Sequence, residues 1–201
     1  MVDVMAKIIA VEGPDRVGKA TQVKLLRNHI RSLGHSVATV EVPVRDGHTH
    51  KIIYWMLGNG LAKKFPKFFQ WLQVLNRKIF QKWFLRTMAH KVDYVIFDRW
   101  NLSTYVYGTA EGLDIDAEKL FSSLLRPDAT VVIVGRIPGL TARDSYEADS
   151  GLQDRVSVLY RDWAMSNDDA VLVEAEGTRG EVLGRILSQL TQKNIIKQEN
   201  T

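Results

Sequence analysis

Gly13-Pro14-Asp15-Arg16-Val17-Gly18-Lys19-Ala20-Thr21 joins an apolar run, Lys7 to Val11, to a segment that sets Val23, Leu26, Ile30 and Leu33 on one helical face. The spacing is GxxxxGK between a predicted strand and a predicted helix, the context in which backbone N–H groups wrap a nucleotide's phosphates. Gly13 and Gly18 allow the turn and a close approach of backbone to ligand. Lys19 supplies a point charge for the β- and γ-phosphates, and the helix start behind it adds unpaired donors and a positive dipole end. A glycine-rich turn that binds nothing is the competing reading; strand, loop and helix in the right order weigh against it. One position departs from the pattern. Ala20 stands where Ser or Thr normally gives its hydroxyl to magnesium, and Thr21 is expected to point elsewhere on the helix. A metal here should therefore depend on the nucleotide, on waters and on nearby carboxylates.

Outward from the loop, short runs rich in β-branched residues recur at Ile8 to Val11, Val37 to Val42, Tyr94 to Phe97, Thr130 to Val134 and Ala170 to Val173. Helical patterns separate most of them, so the chain reads as an α/β fold with about five parallel strands and helices on both faces. Sites in such sheets lie beyond the carboxyl ends of the strands. That rule selects Arg45 after the second run, Asp98-Arg99 after the third, and the segments from Gly135 and Glu174 onward. Lys51 to Leu57 and Phe68 to His90 read as helices around a loop with Gly58, Gly60 and Pro66, and Arg77 falls inside the second. An arginine in each place could grip a phosphate as a planar fork or be an ordinary solvated side chain. His48 and His50 lack a third ligand and read as solvated. Leu152, Val156, Leu159, Tyr160 and Trp163 form one stripe, assigned to core.

At 201 residues the chain suits one domain over 1–201, with a lid-like polar stretch at about 136–151. It contains no cysteine, which excludes a disulfide framework and thiolate chemistry. The start lacks a signal-peptide pattern and no apolar run reaches membrane-spanning length, so a cytoplasmic protein is expected. Net charge is +4, concentrated in an aromatic-rich middle from Lys63 to Arg86. A nucleic-acid face would also suit that middle, but the helical spacing of its aromatics favours a buried stripe, and a small anionic substrate would need the same cations.

Five segments in order resemble the thymidylate kinase family: VEGPDRVGKATQ its phosphate loop, VPVR its FPxR, LNRK its ANR segment, DRWNLSTYVYG its DRxxxS element, and ARDSYEADSGLQDRVSVLY its lid and following helix. The resemblance implies transfer of the γ-phosphate of ATP to dTMP with Mg2+, in a protein that is commonly a homodimer and needs neither nucleic acid nor membrane. On the ATP side it implies Gly13, Gly18, Lys19, Ala20, Thr21 and, at the adenine, Thr178 and Arg179. Arg16 would stabilise charge on the transferring group, and Asp15 would hold the 3'-hydroxyl or a metal-bound water. Arg45, Arg77 and Arg99 would grip the monophosphate, with Asp98 and Glu12 serving magnesium and Arg143 closing with the lid. Ser103 and Thr104 would contact sugar or base, and Tyr107 matches the tyrosine that crowds the 2' position.

The base pocket departs from the family more than the phosphate machinery does. Gln73 lies where a phenylalanine usually stacks on the base, with Phe69 or Trp71 near enough to substitute, and Tyr105 replaces a Gln, Asn or small residue. These departures fit a divergent or viral member, and raise the alternative of another deoxynucleotide, such as a 5-modified pyrimidine. Two other classes share the phosphate loop. A GTP-hydrolysing switch would need a guanine-reading NKxD, which is not found, and a degenerate kinase kept as a binding protein would have to explain the intact Asp15, Arg16, Lys19, Asp98 and Arg99.

Overall fold

The computed structural model describes residues 5–45, 48–135 and 148–197. The β-branched runs form β1 (Lys7–Glu12), β2 (Val37–Glu41), β3 (Tyr94–Asp98), β4 (Ala129–Val134) and β5 (Ala170–Glu174). They make one parallel sheet in the order β2-β3-β1-β4-β5. Alternation along each strand explains why both faces are covered. Ile9 and Val11 of β1 and Val131 and Ile133 of β4 pack on one side, while Ile8, Ala10, Val132 and Val134 pack on the other.

The helices divide accordingly. On one face lie α1 (Lys19–Ser32), through Val23, Leu26 and Ile30, and the closing helix α8 (Arg179–Gln192), through Val182, Ile186 and Leu190. The opposite face carries α2 (Thr49–Gly58), α4 (Pro66–Thr87), α5 (Asn101–Ala110) and α7 (Ser150–Met165). Neighbouring strands β1 and β3 thus send their following helices, α1 and α5, to opposite faces. A crevice opens at such a switch point, and its floor is the carboxyl end of those two strands.

Two short helices were not foreseen. The glycine-bounded loop contains α3 (Leu61–Lys64), and α6 (Ala117–Ser122) is N-capped by Asp116, which accepts from the Lys119 amide at 2.9 Å. The long helix stops at Thr87, three residues short of the predicted end. There the chain turns so that the Ala89 carbonyl accepts the Ala6 amide at 2.8 Å, tying the turn to the approach of β1.

Candidate active site

Everything in the crevice hangs from the loop after β1. Gly13 has φ 141°, and a Cβ there would stand 2.0 Å from the Ile133 carbonyl oxygen, so only glycine lets the loop pass β4. Gly18, at φ 83°, turns the chain directly into α1, whose first residue is Lys19. Arg16 also has a left-handed backbone, φ 63°, a conformation that costs a non-glycine residue about 1 kcal/mol or more and is met mainly at functional sites. Lys19 is buried, and its ammonium donates to the Pro14 carbonyl. Burial pushes its pKa down to about 7; the Arg99 charge adds to that, while Asp15, Asp98 and Glu12 oppose it.

Asp15 and Arg99 form the centre of the site. Arg99 ion-pairs with Asp15 Oδ1, and its Nη1 donates to the Gly13 carbonyl at 3.0 Å. On the other carboxylate oxygen, the Tyr107 hydroxyl donates at 2.6 Å and Gln153 Nε2 at 3.1 Å. Gln153 also accepts the Asp15 amide at 3.1 Å, so α7 holds this residue by backbone and side chain together. Burial alone would raise the Asp15 pKa. The charges of Arg99 and Lys19 and the bonds from Tyr107 and Gln153 outweigh it and hold the carboxyl at about 2. The Tyr107 hydroxyl is pushed well above its ordinary range, chiefly by burial, and its ring lies 5.4 Å from the Arg99 guanidinium carbon.

Glu12 departs from the role expected of it. It is fully buried, and its carboxylate accepts from the Trp100 amide at 2.7 Å, the Ser103 amide at 3.3 Å, the Ser103 hydroxyl at 2.5 Å and the Tyr160 hydroxyl at 3.1 Å. With four donors around two oxygens, it anchors the start of α5 and is unavailable to a metal. Ser103, expected at the sugar or base, is engaged in the same network and also accepts from Arg99 Nη1 at 3.2 Å.

One cleft of about 630 Å³ collects most of the remaining residues: Asp15, Arg16, Gly18, Lys19, Ala20 and Thr21 from the phosphate loop and the start of α1, Phe69, Gln73 and Arg77 from α4, and Asp98, Arg99, Thr104 and Tyr107 from the end of β3 and α5. Ala20 and Thr21 both line it, so Thr21 is not turned away as expected. Arg77 is 2 % exposed; its Nε donates to the Trp100 carbonyl at 3.0 Å, and burial brings its pKa down to about 10 against the pull of Glu12 and Tyr160. Arg45 does not line this cleft. The preceding Val44 is clamped by the buried Asn76 side chain, which accepts its amide at 2.7 Å and donates to its carbonyl at 2.8 Å. The chain leaves that clamp toward the sheet edge, where Arg45 is exposed beside Glu41 and Trp83.

Arg179 is exposed at the start of α8, and its carbonyl accepts from Gln22 Nε2 of α1 at 3.1 Å. That bond sets the α8 terminus beside the phosphate loop's helix. Thr178 caps α8 reciprocally with Glu181. Arg143 and lid residues 136–147 lie outside the described residues. Among the described residues no three His, Cys, Asp or Glu side chains cluster as a metal cage. Asp98 lines the cleft with Asp15 and Glu41, and its charge, like those of Asp15 and Glu12, raises the Lys19 pKa. With Asp15 committed to Arg99, Tyr107 and Gln153, Asp98 beside the phosphate loop fits Mg2+, which keeps its waters and takes most ligands from substrate phosphates.

Gln153 and Tyr160 were not foreseen as site residues. A polar side chain on the otherwise apolar stripe Leu152-Val156-Tyr160 was the available sign, because a buried polar group needs a partner.

Residues 11–147 match the family model for thymidylate kinase. A thymidylate kinase of Caldanaerobacter subterraneus subsp. tengcongensis is 33% identical over 134 residues, which cover 63% of this chain and 63% of that protein. A thymidylate kinase of Desulfosudis oleivorans is 25% identical over 203 residues, covering 90% of this chain and 95% of that one. Among solved structures, a thymidylate kinase from Candida albicans shares the fold at a TM-score of 0.75, with 19% identity and 96% of each chain covered.

Proposed function

The chain belongs to the thymidylate kinase family and is a phosphotransferase of the kinase type, and from that premise we propose that it transfers the γ-phosphate of ATP to dTMP, giving ADP and dTDP. The observation that carries the reading is the meeting of Lys19, Arg77, Arg99 and Asp98 in one cleft with Asp15 locked between them. In-line transfer asks little covalent help of a protein; two anions must be brought together and their charge cancelled. An oxygen of the dTMP phosphate attacks the γ-phosphorus as the bond to the ADP oxygen breaks. Lys19 and Arg16 hold the phosphate chain, with Arg99 and Arg77 on the acceptor side. Arg143, outside the described residues, would add its charge to theirs. Asp15, kept ionised and oriented, accepts the acceptor's 3'-hydroxyl, and Tyr107 fills the space a 2'-hydroxyl would need. Asp98 is the residue that would hold magnesium, which would supply positive charge to offset the donor's phosphates. The adenine lies toward Thr178 and Arg179.

We place the protein in the cytoplasm; among the described residues no helix is long and apolar enough to cross a membrane. The exposed Phe68, Trp71, Ile79 and Trp83 on α4 support a homodimer packed through that helix. Light scattering on the purified protein tests the dimer. The reaction itself is tested by ADP release with ATP against a panel of deoxynucleoside monophosphates. dTMP-dependent ADP formation is expected, and ATP binding without it overturns the reading.

A further inference from the structure

Two buried groups take no part in the transfer chemistry above: the Glu12 carboxylate and the Tyr160 hydroxyl, both on residues with no exposed surface and neither on the cleft wall. Glu12 ends β1, and alternation along the strand sends its side chain, like those of Ile8 and Ala10, to the face covered by α5 and α7. An apolar side chain of similar volume would serve the fold there as well as a buried charge does, and Phe would pack as well as Tyr160 on the α7 stripe. What the two groups do lies in what they touch. Each Glu12 oxygen leads to one acceptor-side arginine. Oε1 accepts the Trp100 amide at 2.7 Å, and the Trp100 carbonyl accepts Arg77 Nε at 3.0 Å. Oε2 accepts the Ser103 hydroxyl at 2.5 Å and the Tyr160 hydroxyl at 3.1 Å, while Arg99 Nη1 donates to the same two hydroxyl oxygens at 3.2 and 3.4 Å. A guanidinium only donates and a hydroxyl has one proton, so Ser103 and Tyr160 receive Arg99 only by passing their own protons on, and Glu12 is the acceptor within reach of both. Its charge also favours the charged forms of Arg77 and Arg99 against burial. The backbone adds a second hold. Arg99 has φ 68°, a left-handed conformation that a non-glycine residue adopts at a cost. Its amide donates to the Val11 carbonyl at 2.9 Å and the next amide, of Trp100, to Glu12, so the end of β1 fixes the turn from which Arg99 enters the cleft.

Resting on the phosphoryl-transfer reading above, we propose that Glu12 and Tyr160 are positioning residues that hold Arg77 and Arg99 in place before the acceptor's phosphate arrives, and so raise turnover without touching either nucleotide. Guanidiniums free to swing could grip a phosphate in several arrangements, few of them in line with the donor. Held ones give up that freedom on folding, which leaves no rearrangement for the transition state. The effect therefore falls on kcat more than on binding. Tyr160 acts on Arg99 alone, whereas Glu12 acts on both arginines, and losses in the corresponding variants should rank in that order.

The test is a double-mutant cycle on the full chain, read as kcat and acceptor KM for ADP formation from ATP and dTMP. Tyr160→Phe removes one hydroxyl and keeps the ring; Arg99→Met removes the group through which that hydroxyl acts. Tyr160→Phe should lower kcat about fivefold in the parent protein, with KM for dTMP changed less than about twofold, and should lower kcat less than about twofold in Arg99→Met. A hydroxyl that only supports packing would cost the same factor in both backgrounds. Equal factors, or no loss in either, overturn the assignment of Tyr160. Glu12→Gln keeps the shape and gives up the charge and one acceptor, and its kcat should fall about a hundredfold. A kcat within about twofold of the parent overturns the assignment of Glu12, and if this variant does not fold the Tyr160 cycle decides alone. Side-chain N–H NMR of the ligand-free protein gives a reading independent of activity: the Arg99 guanidinium signals should broaden in Tyr160→Phe, and those of Arg77 and Arg99 both in Glu12→Gln. Should the parent form no ADP, the phosphoryl-transfer reading falls and these signals alone decide the positioning; unchanged in both variants, they overturn it.

Discussion

Two sets of side chains on the cleft are built on opposite principles. Around the phosphate loop the charged groups already face one another: Asp15 is surrounded by Arg99, Tyr107 and Gln153, and Lys19 leans on the Pro14 carbonyl before any nucleotide arrives. On α5, by contrast, the Thr104 hydroxyl, whose residue also lines the cleft, has no partner among the described residues. An uncompensated buried charge costs far more than an unpaired hydroxyl, so the charges must be held by the protein itself while the neutral group can wait for a ligand. The two sets of side chains should therefore respond differently to mutation.

The largest effect expected is at Lys19. Lys19→Ala should lower kcat by about a thousandfold or more while the melting temperature stays level or rises, since a buried ammonium with a depressed pKa is removed. Near-normal turnover in a steady-state assay would dismiss the phosphate loop as the catalytic centre. Arg99→Met comes next, because it strips Asp15 of its ion pair in a site where both side chains are under one-fifth exposed. A loss of about 2–3 kcal/mol of stability is expected together with a fall in kcat of roughly a hundredfold. Thermal unfolding and kinetics measured on the same preparation check that the two losses travel together.

A smaller, pH-dependent effect follows from the Lys19 pKa of about 7. The nucleotide-free protein loses that proton as pH rises through 7, whereas bound phosphates favour the charged ammonium and raise the pKa. Binding at pH 8 should therefore take up close to one proton, and ATP affinity should fall by up to about tenfold per pH unit above 7. Calorimetry in two buffers of different ionisation enthalpy reads the uptake directly; none at all would contradict the charge balance described. For the fold the sign is the reverse of the usual lysine case. The native state binds fewer protons than the unfolded state between pH 7 and 10.5, so this group's contribution to stability rises with pH over that window. The smallest effect is expected at Thr104, where Thr104→Val removes a hydroxyl with no partner among the described residues. Its melting temperature should be unchanged or slightly higher, with KM for the acceptor raised about fivefold. A clear loss of stability would erase the contrast between the two sets.

How far these properties could be read in advance varied with the range of the interaction involved. The five strands fall where β-branched runs stand, within one residue at each end. The phosphate loop was legible because glycine spacing, strand and helix are adjacent in the chain. Arg77 was ambiguous alone, since a helix carries arginines on every face, and its burial against Trp100 depends on a strand end 23 residues away. Arg45 was misplaced because the clamp that directs it belongs to Asn76, on another helix. α3 and α6 escaped notice because one or two helical turns carry too little periodicity to register.

By itself the amino-acid order determined the parallel sheet, the phosphate loop at its centre and the kind of chemistry that loop serves, since residue period and motif spacing act over a few neighbouring positions. Only the tertiary structure decided what each carboxylate does. Glu12 and Asp15 are three residues apart, yet Glu12 is consumed by donors 91 and 148 positions further along while Asp15 is turned into the cleft by Arg99, Tyr107 and Gln153. A buried carboxylate takes its role from the donors folded around it, and those donors come from elements whose proximity is settled by packing.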